Sequence, residues 1–225
     1  MLSLTFGGSV KNARRILCLG AHSDDIEIGC GGTILKLAES RRPPEITWVV
    51  FSSGPERDQE AHESAGLFLK GIKKRSVIVK NFRNGFFPYV AVEIKEFFEE
   101  LKNQFSPDLI FTHYRHDLHQ DHRLLCDLTW NTFRNHLILE YEIPKYDGDL
   151  GSPNCFIPLD RRLCQRKTKF ICRVFGTQRN KHWFSPDTFE ALMRLRGVES
   201  AAPQKYAEAF YCRKLLLDSF DMQSR

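Results

Sequence analysis

Four times between residues 14 and 137 a short apolar, β-prone run gives way to a stretch of helical period. "RRILCLG" (14–20) precedes "GGTILKLAESRR" (31–42), which Pro43 and Pro44 stop. "EITWVVFSS" (45–53) precedes "PERDQEAHESAGLFLK" (55–70), with Pro55 suited to a first helical turn. "SVIVKNF" (76–82) leads to the amphipathic "VAVEIKEFFEELKNQF" (90–105), and "PDLIFTH" (107–113) leads to "DHRLLCDLTWNTFRNHL" (121–137). Such alternation predicts an α/β fold, doubly wound and Rossmann-like, with a mostly parallel sheet and helices on both faces. After residue 140 the pattern loosens into a Gly/Pro-rich loop (141–159), then a helical stretch and a strand-like "KYAEAFYCRKLLL" (205–217). No repeat, low-complexity tract or linker divides the chain. It reads as a single domain over 1–225, with a core of about 14–140 and a C-terminal part, 141–217, completing the pocket.

Open parallel sheets bind ligands at the carboxyl ends of their strands. Two polar clusters stand there: "AHSDD" (21–25) after the first strand and "HYRHDLHQDH" (113–122) after the fourth. Adjacent carboxylates such as Asp24 and Asp25 repel each other unless a cation or a proton is shared between them. Half of the chain's eight histidines, His113, His116, His119 and His122, fall in the second cluster, with Asp117 and Asp121. Any one of them could cap a helix or bond to backbone; together with His22, Asp24 and Asp25 they point to a metal. Catalytic zinc sites use three His, Asp or Glu ligands and leave one position open. A His-x-x-Asp turn, His22 and Asp25, can supply two ligands, and one histidine of the second cluster completes the set. Asp24 is then placed to act as general base on water that the cation acidifies.

Composition removes several other functions. The longest apolar run, "ITWVVF" (46–51), is far short of the roughly 20 residues of a membrane span. The beginning, "MLSLTFGGSVKNARR", has its basic residues after a Gly-interrupted apolar stretch, unlike a signal peptide, so a cytoplasmic location is expected. Seven scattered cysteines without a Cys-x-x-Cys pair suit a reducing compartment and argue against a thiolate zinc site; Cys18 and Cys30 read as fillers. The net charge of +5 gathers at "RRLCQRKTK" (161–169) and "RNK" (179–181), either a solvated helix face or a rim attracting an anionic substrate. No nucleic-acid motif or aromatic-interleaved basic stripe is present, so nucleic acid is not the expected partner. "GCGG" (29–32) lacks the Gly-x-Gly-x-x-Gly spacing of a dinucleotide loop and is read as easing a sharp turn into the helix.

In these residues the chain resembles the LmbE/PIG-L-like zinc-dependent N-deacetylases. That family's Ala-His-Pro-Asp-Asp motif, followed by an acid and Gly-Gly-Thr, stands here as "AHSDDIEIGCGGT", and its His-x-Asp-His as "HQDH" (119–122). Its Arg-x-x-Glu-Ala is matched by "RDQEA" (57–61) and its late Tyr-Ala-Glu-x-Phe by "YAEAF" (206–210). Ser23 departs from the family's proline, which is expected to alter loop stiffness rather than function. The resemblance implies one zinc ion per chain, or another divalent ion, held by His22, Asp25 and His122, with Asp24 as general base. It gives His119 the amide oxygen or the leaving amine, Asp121 the orientation of an imidazole, and Arg57 a substrate contact. His113 and His116 receive no ligand role and are left behind the ligands or facing substrate.

The implied reaction is removal of acetate from a small N-acetylated amino sugar, such as an N-acetylglucosamine derivative, free, glycosidic or nucleotide-linked. Phe86, Phe87 and Tyr89 could stack a sugar face, and "YDGDLGSPN" (146–154) could line a pocket; each could equally be plain packing. A metal-dependent hydrolase of another amide or ester, a two-metal phosphoesterase, and a non-catalytic sugar-binding protein are the rival functions. The first shell fills one ion, and Asp24 is present, which favours the deacetylase. Oligomers are common among such enzymes, but no residue pattern identifies an interface for a homo-oligomer.

Overall fold

A computed structural model describes residues 15–216. The signal-peptide comparison at the N-terminus and the last residue of the 205–217 run lie outside the described residues. Five strands, β1 (Arg15–Gly20), β2 (Glu45–Val50), β3 (Arg75–Val79), β4 (Leu109–His113) and β5 (Leu137–Tyr141), pair in parallel. β6 (Cys155–Leu159) and β7 (Tyr206–Cys212) complete a seven-stranded sheet in the order β3-β2-β1-β4-β5-β7-β6, with β7 antiparallel to both neighbours. The helices are α1 (Asp25–Ala38), α2 (Pro55–Phe68), α3 (Ala91–Gln104), α4 (Gln120–Thr132), α5 (Arg161–Val174) and α6 (Pro186–Glu199). The expected doubly wound α/β architecture is thus found.

Both faces of the sheet are covered, and the strand residues show it by parity. Ile16 and Cys18 pack with Trp48, Phe111 and residues of α1, α2, α5 and α6, whereas Leu17 and Leu19 pack with Phe51, Ile110 and residues of α3 and α4. α3 buries Ile94, Phe97, Phe98 and Leu101, the i, i+3, i+4, i+7 stripe of an amphipathic helix. The chain runs outward from β1 through β2 to β3, then crosses to β4 on the other side of β1. The switch point therefore lies between β1 and β4, and each carries one polar cluster just past its carboxyl end.

Several boundaries differ from the sequence reading. α1 starts at Asp25, six residues before the expected start at 31, and α4 ends at Thr132, after which Leu137 opens β5. β6 lies inside the stretch read as a Gly/Pro-rich loop. It is the sheet's edge strand, so Pro158 costs no ladder bond to a further neighbour. The basic run 161–169 is a helix face packed on α1 and α2: Arg162 and Arg166 pair with Glu39, and Arg173 beyond it pairs with Glu63. Lys167, in the middle of the run, is instead buried.

The glycines of "GCGG" sit inside α1, not in a turn before it. In a helix interior each costs about 1 kcal/mol relative to alanine, and the structure shows what requires them. An ideal Cβ on Gly29 would stand 2.2 Å from Tyr141 Cδ2, and one on Gly31 would stand 2.6 Å from Phe68 Cε1. Tyr141 cannot retreat, because it is fully buried and its hydroxyl donates to Leu19 O at 2.6 Å. Gly29→Ala is therefore expected to destabilise the fold by about 3 kcal/mol, a fall of roughly 10 °C in melting temperature at this size. A fall under about 2 °C would show that the contact can relax.

Candidate metal centre

The loop after β1 is built to bring His22 and Asp25 to one side. Asp25 Oδ2 accepts the His22 backbone N–H at 2.6 Å, closing a tight turn that ends as α1 begins. Asp24 and Asp25 stand at the N-terminal end of α1, where the helix dipole favours negative charge. The loop after β4 supplies the opposite wall. His22 Nδ1 lies 3.2 Å from His122 Nε2 and 3.3 Å from Asp25 Oδ2, and His122 Nε2 lies 3.6 Å from Asp25 Oδ1. Tetrahedral zinc bound at 2.0–2.1 Å separates its ligand atoms by about 3.3 Å; the three contacts are close to that spacing, with His22 and His122 approaching different oxygens of Asp25.

The hydrogen bonds behind these donors decide which ring nitrogen faces inward. His22 Nε2 is 3.2 Å from Asp121 Oδ2, and Asp121 is itself held by the Gly85 and Phe87 amides at 2.6 and 3.1 Å. His122 Nδ1 donates to Asp117 Oδ2 at 2.9 Å. Each imidazole thus spends one nitrogen on a carboxylate and turns the other towards Asp25, the arrangement that fixes tautomers around metals. The imidazole oriented by Asp121 is that of His22. His119 accepts the Asp121 backbone N–H through Nδ1 at 3.2 Å, which leaves its Nε2 to carry the proton. Its ring stands edge-on to His22 and stacks on His122, centroids 4.9 and 4.5 Å away.

Two donor groupings occur among the described residues, His22 with His119 and His122, and Asp25 with His113 and His122. His113 was not expected among the donors. It is the last residue of β4, fully buried, with Nε2 3.2 Å from Asp25 Oδ2, 3.2 Å from Tyr141 Oη and accepting the Ala21 N–H at 3.0 Å. Its sequence signal was its place at the end of a buried strand. Asp117 was also missed as a site residue; it accepts the His119 N–H at 2.8 Å and pairs with Lys145 at 3.0 Å. His116 is exposed, its ring against Tyr114, and belongs to neither grouping.

Electrostatics follow the geometry. Burial alone would lower the His22 imidazole, but the Asp25 charge and hydrogen bonds to Asp121 and Asp25 raise it to about 9. Burial and the neighbouring His113 lower His122 to about 3. Burial opposes ionisation of Asp25, yet the neighbouring imidazoles of His122, His113 and His22 hold its carboxyl well below the usual range. Glu27, further into α1, is fully buried with no hydrogen bond to either carboxylate oxygen; burial outweighs the nearby Ser64 hydroxyl and pushes it well above the usual range.

Asp24 joins neither donor grouping. Its Oδ1 accepts from Arg57 NH2 at 2.6 Å, which places Arg57 beside this carboxylate. Arg57 rides on α2, which Glu60 fastens by accepting the Thr177 backbone N–H and hydroxyl at 2.9 and 2.7 Å. Phe87 is buried, its ring 6.1 Å from that of His22, while Phe86 and Tyr89 are 38% and 81% exposed. The 146–154 loop is tied to the site, since Asp149 accepts the Leu118 N–H at 2.7 Å and pairs with Lys145.

The family profile described as PIG-L, GlcNAc-PI de-N-acetylase, matches residues 17–133, a stretch that contains both polar clusters. The uncharacterized deacetylase YaiS of Escherichia coli (strain K12) is 29% identical over 143 residues, 60% of this chain and 77% of that protein. Among solved structures, the N,N'-diacetylchitobiose deacetylase from Pyrococcus horikoshii matches with a TM-score of 0.64 and 23% identity over 89% of this chain and 84% of that one. GalB, the 4-carboxy-2-hydroxymuconate hydratase from Pseudomonas putida KT2440, matches with a TM-score of 0.66 and 15% identity over 92% and 99%. The fold therefore serves more than one reaction, and chemistry has to be read from side chains. The profile spans more than half of the sequence: the chain belongs to the PIG-L family of deacetylases.

Proposed function

We propose that this chain is a zinc-dependent hydrolase that removes an acetyl group from the amide nitrogen of a small N-acetylated amino sugar, free, glycosidic or nucleotide-linked. The observation that carries the reading is the division between neighbouring carboxylates. Asp25 turns both oxygens towards His22, His113 and His122, whereas Asp24 stands outside every donor grouping, beside it in sequence and held by Arg57. His22, Asp25 and His122 would hold the ion, which when bound supplies a Lewis acid for the amide carbonyl and acidifies water. Both donor groupings use His122, and one imidazole nitrogen serves one ion, which favours a single-metal site over a two-metal phosphoesterase.

Asp24 removes a proton from the attacking water as its oxygen bonds to the acetyl carbon. The Nε2–H of His119 donates to the oxyanion that develops on the former carbonyl oxygen. Collapse breaks the C–N bond, and the proton held by Asp24, or that of His119, passes to the nitrogen. Acetate and a free amine result. Arg57 orients the Asp24 carboxylate, and Asp121 and Asp117 hold the His22 and His122 rings. The amino-sugar substrate is supported by the family description and by the chitobiose deacetylase of the same fold. Seven free cysteines are the state a reducing, cytoplasmic setting maintains, and no helix among the described residues is long and apolar enough to cross a membrane.

The test is acetate release from N-acetylglucosamine, its 1-O-glycosides and its UDP conjugate, by zinc-loaded and chelator-stripped protein. Release from at least one, abolished by the chelator and restored by zinc, is the expected result. Release that survives stripping would contradict the metal. Failure on all three by zinc-loaded protein would contradict the amino-sugar substrate.

A further inference from the structure

Two sequence features, "GCGG" in α1 and "YAEAF" in β7, meet at one place outside the donor set. In a regular α-helix the Gly32 amide donates to the Ile28 carbonyl. Here both groups of that rung are engaged from outside the helix. Glu208 of β7 accepts the Gly32 and Thr33 N–H groups at 2.7 and 2.6 Å, and Lys167 of α5 donates to Ile28 O at 2.6 Å. Lys167 and Glu208 pair at 2.7 Å, and each side chain is only 3% exposed. Glycine makes the approach possible, since a Cβ on Gly32 would stand 2.5 Å from Leu159 Cδ1 and 3.0 Å from Glu208 Oε1.

As a source of stability this pair is a poor choice. Burying two charges costs several kcal/mol each, and well-packed apolar side chains often do as well. An apolar pair cannot grip a backbone carbonyl and two backbone amides at fixed points along a helix axis. α1 begins at Asp25, whose carboxylate faces His22, His113 and His122 at 3.2 to 3.6 Å. One residue of slip along a helix is 1.5 Å, enough to spoil that spacing. α5 and β7 supply no member of the donor groupings, yet through this rung they hold the helix that supplies Asp25.

We propose that Lys167 and Glu208 are positioning residues that set the axial position of α1, and through it the reach of Asp25 to the metal. This rests on the metal-dependent reading above. Glu208→Gln and the apolar pair Lys167→Met/Glu208→Leu test it, each measured for zinc affinity by chelator competition, zinc-free melting temperature, kcat and KM. Glu208→Gln is expected to weaken zinc binding and lower kcat by about 10- to 100-fold, the range for residues that orient ligands, with KM within about threefold. The apolar pair is expected to recover the zinc-free melting temperature while zinc affinity stays at least about tenfold weak. An apolar pair that recovers both, or a Glu208→Gln protein with wild-type zinc affinity, would overturn the positioning role. So would failure of both variants to fold, which would make the pair a requirement of the fold itself. A wild-type protein that binds no zinc would instead overturn the underlying reading.

Discussion

Asp24→Asn is expected to lower kcat for acetate release by roughly 10² to 10⁴, about 3 to 5 kcal/mol of lost transition-state stabilisation, while zinc content stays at the wild-type level. The substitution is isosteric. The asparagine Oδ1 can still accept from Arg57, so the bond seen at 2.6 Å and the position of α2 are preserved. What is lost is the ability to take a proton. Asp24 belongs to neither donor grouping, and zinc retention is expected on that ground. KM is expected to move by less than about threefold, because an interaction made only in the transition state was removed. Zinc assay and steady-state kinetics on one preparation check both halves. A variant that retained more than about a tenth of wild-type kcat would assign the base to another residue, with His119 next in position.

The neighbouring substitution, Asp25→Asn, is expected to do the reverse: the metal goes first and activity with it. Three donors share the roughly 10 to 16 kcal/mol of a protein zinc site. Losing one should cost on the order of 4 kcal/mol, about a thousandfold in affinity. The amide removes the charge around which His22, His113 and His122 gather at 3.2 to 3.6 Å, and brings N–H groups where lone pairs are needed. Its oxygen can still accept the His22 N–H that closes the turn, so the loop after β1 should keep its course. Chelator competition measures the affinity, and activity should return only partly at high zinc. Wild-type affinity in this variant would move the ion towards the His22, His119 and His122 grouping.

Why these side chains were legible in sequence, and others were not, follows from the range over which each signal acts. Strand-helix alternation is local, and it placed β1 to β4, α2 and α3 and therefore the two polar clusters at one sheet edge. His22 and Asp25 share a turn and His119, Asp121 and His122 share a helix start, so both could be found by spacing. The partners behind them come from distant chain. Nothing near Asp117 announces that it holds His122 and meets Lys145, and His113 reads as a strand end until Tyr141 and Asp25 close around it. β5 follows α4 without a proline or glycine to mark the change, and β6 carries a proline that only an edge strand accepts. The glycines of α1 were visible, but their cause lies in Tyr141, Phe68 and Glu208, which pack against them from remote parts of the chain. Arg57 was matched by motif, yet only the structure shows Asp24 as its partner.

The central claim is that two adjacent aspartates divide the labour, and zinc content per chain tests it most directly. Wild type, Asp24→Asn and Asp25→Asn would be loaded with zinc, dialysed against the same weak chelator and assayed together. The expected result is about one zinc per chain in wild type and in the inert Asp24→Asn protein, and close to none in Asp25→Asn. Equal zinc in both variants, or loss from Asp24→Asn with retention in Asp25→Asn, would contradict the division.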